Sequence, residues 1–493
     1  MRSDLHNIDL GIVLGDVPAA TGIKVGDLQL DSRQIKPGDA FVAVPGRTSH
    51  GLRHVRDALE AGAVAILYDP ADGDSGVEGQ MAPAVIPVPA LASRLGEIAD
   101  RAHSHPSRDI EVAGITGTNG KTTCAWLYAL CRDDRAAYLG TVGSGRPPNL
   151  KATTHTTLDV FSLHRTLAAF RDTGAKHAAI EVSSHALDQN RVAGVRMPLV
   201  GFTNLSRDHL DYHGSMERYA AAKERIFSCQ DVQRAVINID DETGRKFAAK
   251  IAGNIETLSV ASSAPARREG LYVEANEIRS LSGGLYVAGA SHAGNFALTA
   301  RLVGQFNAEN LLLTLGLLLA SGMRLADATE RLSRAVPPPG RMEAFDCNGT
   351  VVVVDYAHTP DALAKALQAV RGHVRGKLYC VFGCGGDRDS GKRALMAEVA
   401  EKFADGVIVT DDNPRSEDPG AIVNMILAGF SNRIPVRVEH DREKAIRTAV
   451  ENAVEGDVVL IAGKGHEDTQ TYGSNVKRFS DREIAQSIAR KAA

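Results

Sequence analysis

The chain has 493 residues, of which 44% are hydrophobic and 24% are charged, and its formal net charge is −4 at pH 7. This balance is typical of a soluble globular protein, and it gives no general reason to expect nucleic acid or an anionic membrane as a partner. At about 150 residues per domain, the length predicts roughly three domains. We place them at residues 1–104, 105–336 and 337–493.

The cysteines and the N-terminus predict the cellular compartment. No two cysteines form a CxxC pair, so neither a disulfide framework nor a zinc site is indicated, and we expect reduced thiols. The N-terminal sequence MRSDLHNIDLGIVLGDV has acidic residues where a signal peptide has a long apolar run. No apolar stretch of about 18 residues occurs anywhere. We therefore expect a cytoplasmic protein that does not insert into a membrane.

In the first hundred residues, short apolar runs such as DAFVAVPG and AVAILYD alternate with helical stretches. This pattern predicts a small α/β domain. The polar segment RAHSHPSRD follows and is predicted to be a linker.

The segment EVAGITGTNGKTTCAW, residues 111–126, has the features of a phosphate-binding loop. The usual pattern is G-x-x-x-x-G-K-[ST], but here the upstream glycines are Gly114 and Gly117, with Ile115 at the expected position. A β-branched run before the loop and a helical run after it would direct backbone N–H groups at phosphate. Lys121 would supply the cation and Thr122 would bind Mg²⁺. The alternative is a glycine-rich turn in front of a helix.

The central region predicts a mostly parallel sheet, because the apolar runs EVAGIT, HAAIEV, LVGFTNL and RAVINID alternate with helical patterns. Glu181 ends one of these runs and His209 follows the next one. Beside a loop that needs Mg²⁺, Glu181 is favoured as a metal ligand over an ordinary acid at a strand end. His209 could equally be solvated or cap a helix. By itself, Lys223 in YAAAKERIF is predicted to be a surface lysine on a helix.

A triple proline in AVPPPGRMEAF marks the second domain boundary, near Pro337. Four apolar runs follow it, each with a polar loop at its end: TVVVVDYAH, LYCVFGCGG, GVIVTDDNPR and DVVLIAGKGHE. In an open parallel sheet, ligands bind beyond the carboxyl ends of the strands. We therefore expect a Rossmann-like α/β domain whose four loops converge on one site.

Ten motifs occur in order across residues 117–467: GTNGKTT, EVSSHALDQNR, TNLSRDHLDYHG, AAKERIF, GQFNAENLL, PGRME, DYAHTPDAL, GCGGDRDSGKR, DDNPR and GKGHE. Together they resemble the motifs of the Mur ligases of bacterial peptidoglycan synthesis. The segment LDSRQIKPGDAFVAVPGRTSHG in the first domain also resembles the family's uridine-nucleotide segment. The resemblance therefore covers nearly the whole chain, and the displaced glycines are normal for this family.

The resemblance implies a three-domain α/β protein in which a central P-loop domain binds ATP. It implies an ADP-forming amide ligase that phosphorylates the D-glutamate γ-carboxylate of UDP-MurNAc-L-Ala-D-Glu. The amino group of meso-diaminopimelate, indicated by DNPR, then attacks the acyl phosphate through a tetrahedral intermediate. Mg²⁺ is the implied cofactor, and we expect a monomer.

The resemblance also implies site residues, carried over by motif position. The ATP-binding set is Gly117, Thr118, Asn119, Gly120, Lys121, Thr122, Thr123, Asn307, Arg341 and Asp355. The metal-binding and catalytic set is Thr122, Glu181, His209 and Lys223 as its carbamate, together with Lys121. The acceptor set is Leu30, Ser32, Arg47, Thr48, Ser49, Thr153, Thr154, Ser183, Gln189 and Arg191. The diaminopimelate set is Arg388, Asp412, Asn413, Pro414, Arg415, Gly463 and Glu467. One departure is that Ala152 stands where the family more often has asparagine before Thr153 and Thr154.

Two alternative functions are less consistent with these motifs. A folylpolyglutamate synthetase would share the P-loop and the third domain, but it would lack the uridine segment LDSRQIKPGD and the DDNPR motif. A P-loop switch or transport ATPase would not need a third domain rich in polar loops. A GTPase switch would also show an N-K-x-D motif, which this sequence lacks.

Overall fold

A computed structural model of the chain describes residues 8–46, 49–73, 84–153, 155–262, 270–281 and 283–492. The chain divides into two units. The first unit comprises Met1–Gly117, Asp134–Val200 and Arg207–Ala235, and the second comprises Thr118–Asp133, Gly201–Ser206 and Val236–Ala493. The division falls inside the predicted phosphate-binding loop, between Gly117 and Thr118.

The regular elements of the described residues are numbered in chain order. The α-helices, α1 to α17, are Leu10–Leu14, Val55–Glu60, Leu91–Ala102, Pro106–Asp109, Lys121–Arg132, Val160–Asp172, Ser184–Asp188, Leu210–His213, Met216–Glu224, Glu242–Ile251, Phe306–Ala320, Leu325–Arg334, Pro360–Arg371, Lys392–Phe403, Pro419–Leu427, Arg442–Glu451 and Asp481–Ala492. The strands, β1 to β25, are Ile8–Asp9, Lys24–Val25, Leu28–Gln29, Ala40–Ala43, Ala65–Tyr68, Ala84–Pro87, Glu111–Thr116, Ala136–Gly140, Gly143–Arg146, Asn149–Lys151, His177–Glu181, Leu199–Phe202, Arg234–Asn238, Glu256–Ala261, Leu271–Leu281, Gly284–Ser291, Gly294–Ala300, Glu343–Cys347, Thr350–Asp355, Leu378–Phe382, Gly406–Val409, Val436–Val438, Val458–Ala462, Thr469–Tyr472 and Asn475–Arg478. Short 3₁₀ helices occupy Pro18–Ala20, Ser32–Gln34, Gly51–His54, Pro70–Asp72 and Arg225–Ser228.

The N-terminal part of the first unit is built on a parallel sheet in the order β3-β4-β5-β6. Side chains of a strand alternate between the two faces of its sheet, and both faces of this sheet are covered. In β4, Ala40 and Val42 join one apolar cluster, whereas Phe41 and Ala43 join another. The predicted N-terminal α/β arrangement is therefore confirmed.

A second sheet of the first unit contains β8, β11 and β7 side by side in parallel, and the hairpin β9–β10 continues it from β8. Glu181, the last residue of β11, lies opposite Ile115 of β7, one residue before that strand ends. The predicted RAHSHPSRD linker is wrong, because α3 runs to Ala102 and α4 occupies Pro106–Asp109. Only a short turn separates these helices, and His103 and Ser107 within the segment are buried.

In the second unit, the apolar helix α11 lies beside β14 and β15, and β15, β16 and β17 form antiparallel pairs. A further sheet has the order β18-β19-β23-β20-β21-β22, in which β18 is antiparallel and the other strands are parallel. All four predicted C-terminal strands are present, as β19, β20, β21 and β23. They are neighbours, so the polar loops after them meet at one edge of the sheet.

Candidate active site

The glycine-rich loop leads directly into α5. Gly120 precedes the helix with φ 86°, and a Cβ atom there would lie 2.3 Å from Oδ1 of Asn310. Glycine is therefore required by both the backbone conformation and the close approach of α11. Gly120 has no side chain that could cap α5. A glycine-rich loop that leads directly into the N-terminus of a helix is typical of a phosphate-binding site.

The second half of this loop is held by the segment after β12. The backbone N–H of Asn119 donates to Oδ1 of Asn204 at 3.0 Å, and Oγ1 of Thr203 donates to the Asn119 carbonyl at 2.6 Å. Nζ of Lys121 donates to the Thr118 carbonyl at 2.9 Å, which turns its ammonium toward the loop. The predicted loop residues Thr118 to Thr123 thus form one local structure with a lysine on its inner side.

Glu181 is 1% exposed at the carboxyl end of β11. Its Oε1 accepts from the hydroxyl of Tyr138 and from the Thr141 backbone N–H at 2.8 Å, and its Oε2 accepts from Thr141 Oγ1 at 3.2 Å. A Cβ atom on Gly140 would lie 2.1 Å from Oε1, so only glycine leaves room for this carboxylate. The predicted metal ligand is therefore a buried carboxylate in a close-fitting cradle.

Lys223 lies in α9 and is 1% exposed, so its interpretation as a surface lysine is wrong. Its Nζ donates to the Gly117 carbonyl at 2.7 Å and lies 4.6 Å from the ring centroid of Tyr219. The His209 ring lies 6.2 Å from the same Tyr219 ring. The structure thus brings His209, Lys223 and the first glycine of the loop into one neighbourhood.

His209 precedes α8 with φ 51°, and its side chain is 48% exposed. Its ring contacts the His185 ring edge-on, with 4.8 Å between centroids, and makes no side-chain cap for the helix. Burial lowers the pKa of His185 and of His213, and the neighbouring histidines lower the pKa of His185 further. Burial therefore favours the neutral imidazole at His185 and at His213.

The oxygen donors among the predicted metal ligands are of the kind that a hard cation binds. The described residues contain no group of three or more His, Cys, Asp and Glu side chains arranged to hold a metal ion. A carbamate on Lys223 would add an oxygen donor to the Glu181 carboxylate and the His209 imidazole. Carboxylate-type oxygens are the ligands that Mg²⁺ prefers.

The predicted acceptor residues of the central segment, between residues 153 and 191, lie around the strand that ends in Glu181. Thr153 Oγ1 donates to the Gly140 carbonyl at 2.8 Å, and Ser183 caps α7 by accepting from the Ala186 N–H at 3.1 Å. Arg191 donates to Oε1 of Gln189 from Nε at 2.9 Å and from Nη2 at 2.6 Å. Four of the ten predicted acceptor residues therefore line the region around the ends of β8 and β11.

The remaining acceptor residues belong to the N-terminal part. Ser32 is buried at the start of a 3₁₀ helix, and Leu30 packs against the apolar cluster on one face of the sheet. Ser49 Oγ lies 3.0 Å from Nε2 of His54. Arg47, Thr48 and Thr154 lie outside the described residues.

The three predicted ATP residues of later segments all lie in the second unit. Asn307 is buried in α11, where it donates to the Val303 carbonyl at 2.7 Å and accepts from Asn310 at 2.8 Å. Asp355 accepts from the Met342 and Ala357 N–H groups, both at 2.9 Å. Burial raises the pKa of Asp355, and Arg341 opposes the rise. The Arg341 guanidinium lies 4.8 Å from the ring of Tyr356.

The predicted diaminopimelate residues come together at the carboxyl edge of the C-terminal sheet. Nδ2 of Asn413 donates to Oε2 of Glu467 at 2.8 Å. Lys464, which is fully buried, donates to Oδ1 of Asn413 at 3.2 Å and to Oε2 of Glu467 at 3.1 Å. A buried ammonium thus fixes the orientation of both side chains and balances the Glu467 charge.

Gly463 allows Asp412 to approach the same edge. It has φ 122°, and a Cβ atom there would lie 2.6 Å from Oδ2 of Asp412. Burial raises the pKa of Asp412, whereas the nearby Arg442 and Lys464 lower it. Close packing at this edge of the sheet therefore requires glycine at residue 463.

Arg415 sits in the left-handed region with φ 54°, and its backbone pairs with the β24–β25 hairpin through Thr471 and Gly473. Its Nη1 donates to the Gly386 carbonyl at 2.7 Å. Pro414 is buried directly before it, and a Cβ atom on Gly386 would lie 1.9 Å from the Pro414 carbonyl oxygen. Arg388 is exposed on the loop that carries Gly386. The two arginines therefore lie on two loops that are packed backbone against backbone.

Sequence reasoning missed several residues of these sites. Lys464 and Tyr356 stand inside the motifs GKGHE and DYAHTPDAL, so their motif positions were a usable signal. Tyr138, which donates to Glu181, lies in an apolar strand and carried no such signal.

Comparison with known proteins places the chain in a family. Three family models match successive segments: "Mur ligase family, catalytic domain" at residues 24–103, "Mur ligase middle domain" at residues 115–318, and "Mur ligase, glutamate ligase domain" at residues 340–465. These matches and the observed sheets confirm the α/β class with a central nucleotide-binding domain. Within the described residues, no helix is long and apolar enough to cross a membrane.

Individual relatives are similar over nearly their whole length. The chain is 46% identical to the UDP-N-acetylmuramoyl-L-alanyl-D-glutamate–2,6-diaminopimelate ligase of Xylella fastidiosa, covering 98% of this chain and 97% of the relative. It is 47% identical to the ligase of the same name from Alkalilimnicola ehrlichii, covering 95% of each chain. A solved structure of a ligase of this name matches with TM-score 0.68 and 34% identity over 95% of each chain. The chain therefore belongs to the Mur ligase family, and within it to the group of UDP-N-acetylmuramoyl-L-alanyl-D-glutamate–2,6-diaminopimelate ligases.

Proposed function

We propose that this protein is an ATP-dependent, ADP-forming ligase that adds meso-diaminopimelate to the D-glutamate of UDP-MurNAc-L-Ala-D-Glu. The reaction is a step of peptidoglycan precursor synthesis. Relatives of that name at 46% and 47% identity over nearly the full chain support the proposal. Neither a folylpolyglutamate synthetase nor a P-loop switch protein accounts for this full-length similarity.

The three substrates would be divided among the three domains. Residues 1–104 would bind the uridine end of the acceptor through Leu30, Ser32, Arg47, Thr48 and Ser49. Residues 105–336 would bind ATP and the acceptor peptide, and residues 337–493 would bind the incoming amino acid. Because the substrates are nucleotides and free amino acids of the cell interior, we further propose a cytoplasmic location. The expected monomeric state stays a prediction.

The first chemical step activates a carboxylate, which is a poor electrophile with no leaving group. The γ-phosphoryl group moves from ATP to the D-glutamate γ-carboxylate, giving an acyl phosphate and ADP. Lys121 and the start of α5 would hold the phosphates in line, and Thr122, Glu181, His209 and the Lys223 carbamate would hold the metal. When bound, Mg²⁺ neutralises phosphate charge during the transfer.

Lys223 would act as a carbamate. The neutral amine forms an N–C bond with CO₂ and releases a proton, so a cationic side chain becomes an anionic oxygen ligand. Its burial against the Gly117 carbonyl supports this proposal, because the amine is held beside the loop and away from bulk water. An unmodified ammonium would instead repel a divalent cation.

In the second step, the diaminopimelate amine attacks the acyl carbon, and phosphate leaves through a tetrahedral intermediate. Arg415 and Arg388 would bind carboxylates of the amino acid with charge-assisted hydrogen bonds, and Glu467 would meet its distal ammonium. Lysine has no distal carboxylate and would lose these contacts. Asn413 and Gly463 complete the site.

The observation that supports the amino-acid assignment is the Asn413–Lys464–Glu467 group, in which the Glu467 carboxylate is oriented by two hydrogen bonds. Arg415, which would supply the cation, follows Asn413 by two residues on the same loop and donates to the Gly386 carbonyl. The test follows ADP release by the purified protein with UDP-MurNAc-L-Ala-D-Glu, ATP and either meso-diaminopimelate or L-lysine. We expect turnover that requires the acceptor and strongly prefers diaminopimelate. Equal turnover without an acceptor would contradict the ligase function, and a preference for lysine would contradict the specificity alone.

A further inference from the structure

The two loops that carry Arg388 and Arg415 are joined by an ion pair outside the proposed site, between a buried arginine and a glutamate whose side chain is 31% exposed. We call them the 384–391 loop and the 411–418 loop, after their residues. Arg393, in the first turn of α14, has a fully buried side chain. Its Nη1 and Nη2 donate to Oε2 and Oε1 of Glu417 at 2.9 and 2.8 Å. This is the bidentate geometry in which arginine binds a carboxylate most specifically.

Each partner of this pair is also bonded to the 384–391 loop. Nη2 of Arg393 donates to the Gly385 carbonyl at 3.3 Å, and Oε1 of Glu417 accepts from the Asp387 N–H at 2.6 Å. Asp387 in turn accepts from Ser416, from Oγ at 2.5 Å and from the backbone N–H at 3.2 Å. The four side chains of Arg393, Glu417, Asp387 and Ser416, which we call the loop clasp, therefore connect the two loops on both sides of Arg388.

We infer that Arg393 and Glu417 are a positioning pair for the amino-acid site, which fixes the distance between Arg388 and Arg415 and thereby the selection of a dicarboxylic amino acid. This inference rests on the proposed function. Arg393 has no exposed surface with which to touch a substrate, so it can act only through the loops that it joins. Two guanidiniums on separate loops grip two carboxylates only when the loops hold a fixed spacing.

The clasp suits positioning because of where it is anchored. Arg393 belongs to a regular helix, α14. The ion pair therefore attaches the 411–418 loop to a rigid element. A lysine at residue 393 would keep the charge but lose the paired hydrogen bonds. Glutamine at residue 417 would keep the shape and lose the charge. Both changes leave Arg388 and Arg415 themselves intact.

The experiment compares Arg393→Lys, Glu417→Gln and Ser416→Ala with the wild-type protein. The matched control is Arg371→Lys, which makes the same substitution in an exposed ion pair with Asp405 on the same unit. The measurements are kcat, the KM values for meso-diaminopimelate, ATP and UDP-MurNAc-L-Ala-D-Glu, the kcat/KM ratio of diaminopimelate to L-lysine, and thermal unfolding.

We expect Arg393→Lys and Glu417→Gln to raise the KM for diaminopimelate by about 10- to 100-fold, because a misplacement of about 1 Å can cost this much. The KM values for ATP and the acceptor should stay within about twofold, and the preference over lysine should fall by the same factor as the diaminopimelate kcat/KM. Ser416→Ala should change the same constants in the same direction by a smaller factor, and Arg371→Lys should change none.

An unchanged KM for diaminopimelate in the folded variants would overturn the inference. So would a rise of all three KM values together, or an equal loss of lysine turnover, since either would indicate general destabilisation. If both variants of the ion pair fail to fold, Ser416→Ala decides, and unchanged constants in it count against the loop clasp. Failure of the wild-type protein to use diaminopimelate would instead refute the proposed function.

Discussion

Two regions differ in how their charged side chains are held: the strand-end region around Glu181 and Lys223, and the loop region around Asn413 and Glu467. In the first, a buried carboxylate is held by Tyr138 and Thr141, and a buried lysine is bonded to a backbone carbonyl. In the second, Asn413, Lys464 and Glu467 already bond one another, so cation and carboxylate are arranged in advance.

The difference indicates how each region would work. The proposed amino-acid site would be preorganised, which lowers the cost of binding a ligand with several charges. The strand-end region would acquire its full set of oxygen ligands only after the proposed carbamylation of Lys223. A change in the first region should therefore remove catalysis. A change in the second region should reduce the preference for meso-diaminopimelate over lysine by a limited factor.

The largest effect is expected for Lys223→Ala, which removes the proposed carbamate. Activity should fall by at least about a thousandfold, because an anionic ligand is lost where phosphate charge is stabilised. High bicarbonate should not restore activity, whereas short carboxylic acids should restore part of it by supplying oxygen ligands. Steady-state ADP release measures this, with Lys246→Ala, which changes an exposed side chain of α10, as the control. Wild-type activity in Lys223→Ala would contradict the proposed role.

Lys121→Ala and Glu181→Ala should separate turnover from acceptor binding. We expect each to abolish turnover while UDP-MurNAc-L-Ala-D-Glu still binds, because the uridine end is assigned to residues 1–104. Calorimetry without ATP is the measurement, and circular dichroism checks the fold. Loss of binding in proportion to the loss of rate would mean that the acceptor site is assigned to the wrong residues.

Arg415→Ala tests the preorganised site directly. Removing one partner of a charge pair costs about 2–5 kcal/mol, so kcat/KM for meso-diaminopimelate should fall by about 30-fold to several thousand-fold. Lysine should stay a poor substrate, since the change creates no contact for it. Arg437→Ala, on exposed β22, is the control. Lysine turnover that rises to the diaminopimelate level would show that Arg415 excludes lysine instead of binding the dicarboxylate.

The smallest effect concerns His373, which joins two parts of the second unit. Its Nδ1 donates to the Leu281 carbonyl at 2.7 Å, and its Nε2 accepts from the Gly304 N–H at 2.9 Å, so the ring must be neutral. Burial lowers the pKa of His373. The unfolded chain therefore takes up a proton below about pH 6.5 before the folded protein does, and stability decreases as pH falls through that range.

His373→Gln should make stability less dependent on pH. Between about pH 7 and pH 5.5, the free energy of unfolding measured by urea denaturation should decrease less in the variant than in the wild-type protein, with a difference in slope below about 1.4 kcal/mol per pH unit. His292→Gln, at an exposed position, should keep the wild-type dependence. Identical pH dependence in wild type and His373→Gln would show that another group titrates.

The amino-acid sequence by itself determined the α/β class, the four C-terminal strands and the family. Apolar runs with polar ends specify strands and strand-end loops locally, and ordered motifs such as GTNGKTT and DDNPR occupy those ends. The tertiary structure alone decided that Lys223 is buried, that Lys464 bonds Asn413 and Glu467, and that RAHSHPSRD is mostly helical. It also paired Arg393 with Glu417 across 24 residues of chain. Burial and ion pairing depend on which segments pack together, and the local pattern of one helix or loop carries no record of its distant neighbours.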